Sequence, residues 1–118
     1  MANKYSETDL DLALTAYFDY LKADYAKNGS GGGALDQYYA TAMNGQKFQR
    51  VVAHNWGSRS AHSFIVKRAH VTSGGIKLEV GDILMAASWA APALNAVRGN
   101  ILKPDYRNCT WTGTGYLK

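Results

Sequence analysis

The stretch His54-Asn55-Trp56-Gly57-Ser58-Arg59-Ser60-Ala61-His62 concentrates two imidazoles, an amide, two hydroxyls, a guanidinium and an indole. Arg59 offers a planar fork to phosphate oxygens, Ser58 and Ser60 add hydroxyl donors, and Trp56 supplies a ring on which a base could stack. This donor set suits an anion. Loops held between rigid strands often carry function, although the same residues also describe a solvated hairpin turn around a packing Trp.

Other chemistries can be tried on these residues. Nucleophilic catalysis needs a Ser or Cys beside a base that a third group orients; Ser58 or Ser60 with His54 or His62 supplies two members, and the third is missing locally. Gly57-Ser58-Arg59-Ser60-Ala61 also lacks the second Gly of a nucleophile elbow. A histidine pair acting as acid and base on a phosphodiester, with Arg59 or Lys67 stabilising charge, would need no metal. Metal binding fits poorly. His62 and His70 share parity on one expected strand, where eight residues at ~3.3 Å place them about 26 Å apart. His54, His62 and Cys109 match no zinc spacing, so neither metal nor cofactor is expected. Ser88-Trp89-Ala90-Ala91-Pro92-Ala93 has residues small enough to admit a flat ligand, and Trp89 with Arg98 would line such a pocket; the alternative is packing around a buried Trp.

Charge favours the anion reading. From Gln37 to Leu78 the chain runs 42 residues without Asp or Glu while carrying Lys47, Arg50, Arg59, Lys67, Arg68, Lys77 and all three histidines. Residues 1–36 carry −3 and residues 37–118 carry +7, which together give the net +4. A surface that gathers one sign of charge draws phosphate-bearing partners, whatever fold lies beneath. Spread around a solvated surface, the same charges would inform only solubility.

The elements that must position these groups follow from periodicity. At 118 residues, 47% hydrophobic and 19% charged, the chain reads as one folded domain. Leu10, Leu14, Tyr17, Phe18, Leu21 and Tyr25 predict an amphipathic helix over 8–27, with Ser6 and Asp9 as a capping box and Asn28-Gly29 as its stop. Residues 29–33 read as a Gly-rich linker between the acidic helix and a basic remainder, 34–118. A short second helix is expected over 34–43, and another over 93–98 with Pro92 in its first turn and Gly99 at its stop. Between them, 48–54, 62–71, 76–80 and 83–88 read as strands, with a last one over 109–112. The predicted class is α+β, with the N-terminal helix and a short second helix packed on a small, mainly antiparallel sheet. The lone Cys109 excludes an internal disulfide and suits a reducing compartment. With no secretory leader pattern at the start, the Asn108-Cys109-Thr110 sequon reads as incidental, and no run approaches the ~18 apolar residues of a membrane helix.

Two segments, Gly57-Ser58-Arg59-Ser60-Ala61-His62-Ser63-Phe64-Ile65-Val66 and the run Gly81-Asp82-Ile83-Leu84-Met85-Ala86-Ala87-Ser88-Trp89-Ala90-Ala91-Pro92-Ala93 continuing to Arg98-Gly99-Asn100-Ile101, resemble stretches that recur in small uncharacterised proteins of tailed bacteriophages. The resemblance spans residues 57–101 and brings no assigned activity. It implies a viral source and the cytoplasm of a bacterial host, where countering host defence is one role for such a protein. The expectation is a non-catalytic protein that binds a nucleotide or nucleic acid. Its basic region contributes Arg50, Lys67, Arg68 and Arg98, and its loops contribute His54, Trp56, Ser58, Arg59, Ser60, His62 and Trp89. The alternatives are a protein–protein inhibitor of a host nucleic-acid enzyme, which would meet an acidic host protein, and a small metal-independent, His-dependent phosphodiesterase. An exposed sheet edge would also permit a homo-oligomer.

Overall fold

The computed structural model of the chain describes residues 7–28, 38–55, 58–106, 109–110 and 113–114. Helix α1 runs Glu7–Asn28. Leu10, Leu14, Tyr17, Leu21 and Tyr25, spaced three or four apart, are all buried, and Tyr17 and Leu21 are wholly so. The capping Ser6 and the Gly-rich segment 29–33 lie outside the described residues.

The strands are β1 (Tyr38–Asn44), β2 (Phe48–Asn55), β3 (Ser58–Val66), β4 (His70–Val71), β5 (Lys77–Leu78), β6 (Asp82–Ala86), β7 (Pro92–Asn100), β8 (Cys109–Thr110) and β9 (Gly113–Thr114). Five of them form one sheet in the order β1-β2-β3-β6-β7, every pair antiparallel, while β4-β5 and β8-β9 are separate hairpins. The architecture is therefore α+β, one helix on a mainly antiparallel sheet. No described helix is long and apolar enough to cross a membrane.

Two expected helices are strands instead. Over 34–43 the described part forms β1, which pairs with β2 along its whole length from Tyr38 opposite Asn55 to Asn44 opposite Gln49. Ala40, Ala42 and Met43 favour a helix locally, but alternation of Tyr39, Thr41 and Met43 against small alanines suits a strand covered by α1 on one side. Over 92–100 the chain forms edge strand β7, whose first residue, Pro92, has no N–H to lose from a ladder. The strand expected over 62–71 ends at Val66: Lys67 N still donates to the Lys47 carbonyl, but the chain bends at Lys67 and Arg68 and resumes only as the short β4.

The sheet has apolar layers on both faces. On the α1 side, Val51, Ala53, Ile65 and Ile83 meet the helix stripe. On the other side, Phe64, Val66 and Leu84 lie beneath Leu78 and Ile76 of the β4–β5 hairpin. Asn100, the last residue of β7, ties the start of β6 to the turn that follows β7. Its amide donates to Val80 O and Asp82 Oδ1 and its carbonyl accepts from the Leu102 and Lys103 amides, while Asp82 Oδ2 accepts from Glu79 N. Gly99, at φ +154°, sits where a Cβ would overlap the Asp105 carbonyl oxygen, so its role is close backbone approach and not a helix stop. That junction is structural: burial pushes the Asp82 carboxyl above its ordinary value against the two hydrogen bonds it accepts.

Candidate functional site

Antiparallel register decides which of the expected residues can meet. His54 pairs with Tyr39 on one side and Arg59 on the other, Val52 with Thr41 and Ala61, and Arg50 with Met43 and Phe64. Paired residues point to the same face. Tyr39, Thr41, Met43, Arg50, His54, Arg59 and Phe64 therefore share the face away from α1.

Trp89 gathers this face. The tight loop after β6 is closed by Ala87 N and Ser88 N donating to Ala91 O, and by Ala90 N donating to Ser88 Oγ. Only small residues flank the indole, so the loop reaches back across β3 to β2. There Arg50 Nε donates to Trp89 O at 2.7 Å, and the Arg50 guanidinium lies 4.8 Å from the indole centroid and 5.9 Å from that of Phe64. Arg59 approaches the same indole at 5.5 Å. Each such contact is worth about 0.5–2 kcal/mol and holds the guanidinium plane, leaving N–H edges for an acceptor. Among the described residues no ion pair engages Arg50 or Arg59.

A second aromatic unit stands beside the first. Tyr39 stacks on His54 at 4.3 Å with the rings 4° from parallel, and His54 Nε2 is 3.0 Å from Thr41 Oγ1. Tyr39, Met43 and Trp89 remain 48%, 42% and 41% exposed, so the face is amphipathic as well as basic. The carboxylates of α1 lie across the sheet from it.

The other expected residues are elsewhere. Strand β2 continues to Asn55 and β3 begins at Ser58, which leaves only Trp56 and Gly57 between them, both outside the described residues. Ser58 and Ser60 are exposed but pair with Asn55 and Ala53, on the opposite parity from Arg59. Lys67 donates to Asn44 Oδ1 and to Gly45 O at 2.8 Å, bracing the β1–β2 turn near Lys47. Arg68 is exposed at the end of the sheet, where its carbonyl accepts from His70 Nδ1 at 2.7 Å. Arg98 is only 2% exposed, its guanidinium donating to Ala96 O and lying against Met85 Sδ.

His62 is buried on the helix side because of a bulge. The register shifts between Val51, opposite Ser63, and Val52, opposite Ala61, so His62 has no partner and turns inward beside Ser63. Its Nε2 is 2.7 Å from Thr110 O, which can only accept, so the ring carries its proton there. Nδ1 then accepts from Ser63 Oγ at 2.9 Å, or from Tyr17 OH at 3.4 Å, and the two hydroxyls are 3.0 Å apart. Burial holds the His62 pKa below its ordinary value, against the opposing pull of the Thr110 carbonyl. His54 and His62 therefore sit on opposite faces and form no acid–base pair. No three His, Cys, Asp or Glu side chains gather as metal ligands among the described residues.

Comparison with known families places the chain. It belongs to DUF7717, a family of unknown function, whose model matches residues 2–117. No curated protein and no solved structure matches it. In this DUF7717 chain, sequence reasoning missed Tyr39, Thr41, Met43 and Phe64. Reading β1 as a strand in register with β2 would have found the first three.

Proposed function

We propose that this protein is a non-catalytic binder of a phosphate-bearing ligand, which it holds on the sheet face remote from α1. One observation carries this reading: Arg50 and Arg59, drawn from different strands, converge on the Trp89 ring with no carboxylate beside either among the described residues. The five-stranded sheet keeps them apart from the acidic helix, so their field is not neutralised locally. Lys47 and Arg68, both exposed, extend the positive surface toward the β1–β2 turn. The phage resemblance supports the cytoplasm of a bacterial host as the setting, with a nucleotide or nucleic acid as ligand and the blunting of a host defence as the outcome.

The test is fluorescence anisotropy of a labelled oligonucleotide at low salt with heparin as competitor. Saturable binding that weakens in Arg50→Ala and Arg59→Ala, but not in Lys22→Ala on the helix, is expected. No binding to any polyanion or nucleotide at low salt would end the reading. Retention of a bacterial protein after nuclease treatment, without polyanion binding, would favour inhibition of a host enzyme instead.

A further inference from the structure

Resting on that reading, we infer that the ligand is a single-stranded nucleic acid, with a base stacked on the outer face of Tyr39 and phosphates along Arg59 and Arg50. Three observations separate this from a duplex or a free nucleotide.

The first is apolar exposure among the cations. Tyr39, Met43 and Trp89 keep between 41% and 48% of their surface on the face that carries the arginines. A duplex presents sugar and phosphate outward and hides its bases, so it would leave these side chains uncovered. Unstacked bases would cover them.

Preorganisation is the second. One face of the Tyr39 ring is backed by His54 at 4.3 Å and nearly parallel, and His54 is itself anchored to Thr41. A base added on the outside extends a stack that already exists, with little further loss of side-chain freedom. Arg50 is equally fixed, by its hydrogen bond to Trp89 O and its contacts with two rings.

Shape supplies the third. The depression on this face, lined by Met43, Lys47, Phe48, Arg50, Phe64 and Ala90 among others, measures about 160 Å³. Cavities that enclose small ligands hold roughly 300–1,000 Å³. A larger hollow of about 410 Å³ lies between α1 and the turn after β7, lined by Asp9 and apolar side chains with no Lys or Arg, and it does not suit a phosphate. The basic face is long instead of deep. The eight residues from Lys47 to His54, seven steps of ~3.3 Å, span about 23 Å, enough for roughly seven nucleotides at the stacked spacing of ~3.4 Å and fewer when extended.

The experiment titrates the full chain with a labelled single strand, its duplex of equal length, an abasic strand of equal charge and a nucleoside triphosphate. The single strand should bind at least tenfold more tightly than the duplex or the abasic strand. Tyr39→Ala should weaken the single strand alone by about 5- to 150-fold, the range that loss of one stacked base implies, and Tyr39→Phe should restore it. Circular dichroism melting of each variant confirms its fold. Equal binding of duplex, abasic and single strands would overturn the inference while leaving phosphate recognition intact, as would unchanged affinity in a folded Tyr39→Ala. Preference for the triphosphate over every strand would overturn it too. Failure of all four ligands to bind would remove the underlying reading itself.

Discussion

Acidification should loosen this fold through His62. Its ring is 3% exposed, donates through Nε2 to Thr110 O and accepts at Nδ1 from a hydroxyl, so a second proton would have to enter where the ring now accepts. The folded-state pKa lies below its ordinary value of 6.5 because burial disfavours the cation. The unfolded chain therefore binds a proton that the folded chain refuses. Stability from this group is complete above about pH 6.5 and is lost as pH falls toward the folded value. Between about pH 7.5 and pH 5.5 the loss is at most about 1.4 kcal/mol, since a fully excluded proton costs that much per pH unit. For a domain of this size that upper limit corresponds to a fall in Tm of at most about 4–8 °C. Asp82 works the other way, because its raised pKa makes protonation favour the fold, and it acts at lower pH, nearer the carboxylate range. Urea unfolding across this pH window, with His62→Gln as the partner variant, is the assay. The variant should be less stable at neutral pH by about 1–3 kcal/mol, from the hydrogen bonds it disturbs, and should show a flatter pH dependence. A flat profile for the unaltered protein, or the same slope in both, would refute the reasoning.

Gly99→Ala should cost about 2–4 kcal/mol, read as a lower urea midpoint at unchanged m-value, because φ is +154° and the new Cβ would overlap the Asp105 carbonyl. An unchanged midpoint would mean that the Asp105 turn moves aside freely. Cys109 is 2% exposed with its thiol pushed up to about 11, mainly by burial, so a disulfide reagent near neutral pH should label it only after denaturation. Rapid stoichiometric labelling of the native protein would contradict that. Leu21→Ala should lose about 2–5 kcal/mol in the same urea assay, since Leu21 is fully buried between α1 and the sheet; a loss under about 1 kcal/mol would place the helix elsewhere.

The parts of the fold set by local periodicity were legible in the chain. Leu10, Leu14, Tyr17, Leu21 and Tyr25 announce α1, and the β-branched runs through Val51 and Ile65 announce β2 and β3. What failed depended on long-range pairing. Residues 38–44, with Ala40, Ala42 and Met43, become a strand because β2 offers seven partners, while β7 stays extended because β6 pairs with it at Pro92, Val97, Gly99 and Asn100. The site was half legible for the same reason. Arg50, His54, Arg59 and Trp89 were named from residue type, but 39 residues separate Arg50 from the carbonyl it meets, and linear spacing carries no trace of that contact. Simple alternation would turn His62 to the face opposite Ser63. The bulge reverses it, and bulges leave little mark on composition.

Everything proposed for function depends on Arg50 and Arg59 presenting their charge to an anion. The salt dependence of single-strand binding measures this directly. With Lys47, Arg50 and Arg59 each neutralising one phosphate, log Kobs should fall against log salt with a slope of about −2, at ~0.7 per phosphate. The Arg50→Ala/Arg59→Ala double variant should bind more weakly with a slope near −0.7. The same slope in both proteins, or none in either, would show that these two guanidiniums do not hold the ligand.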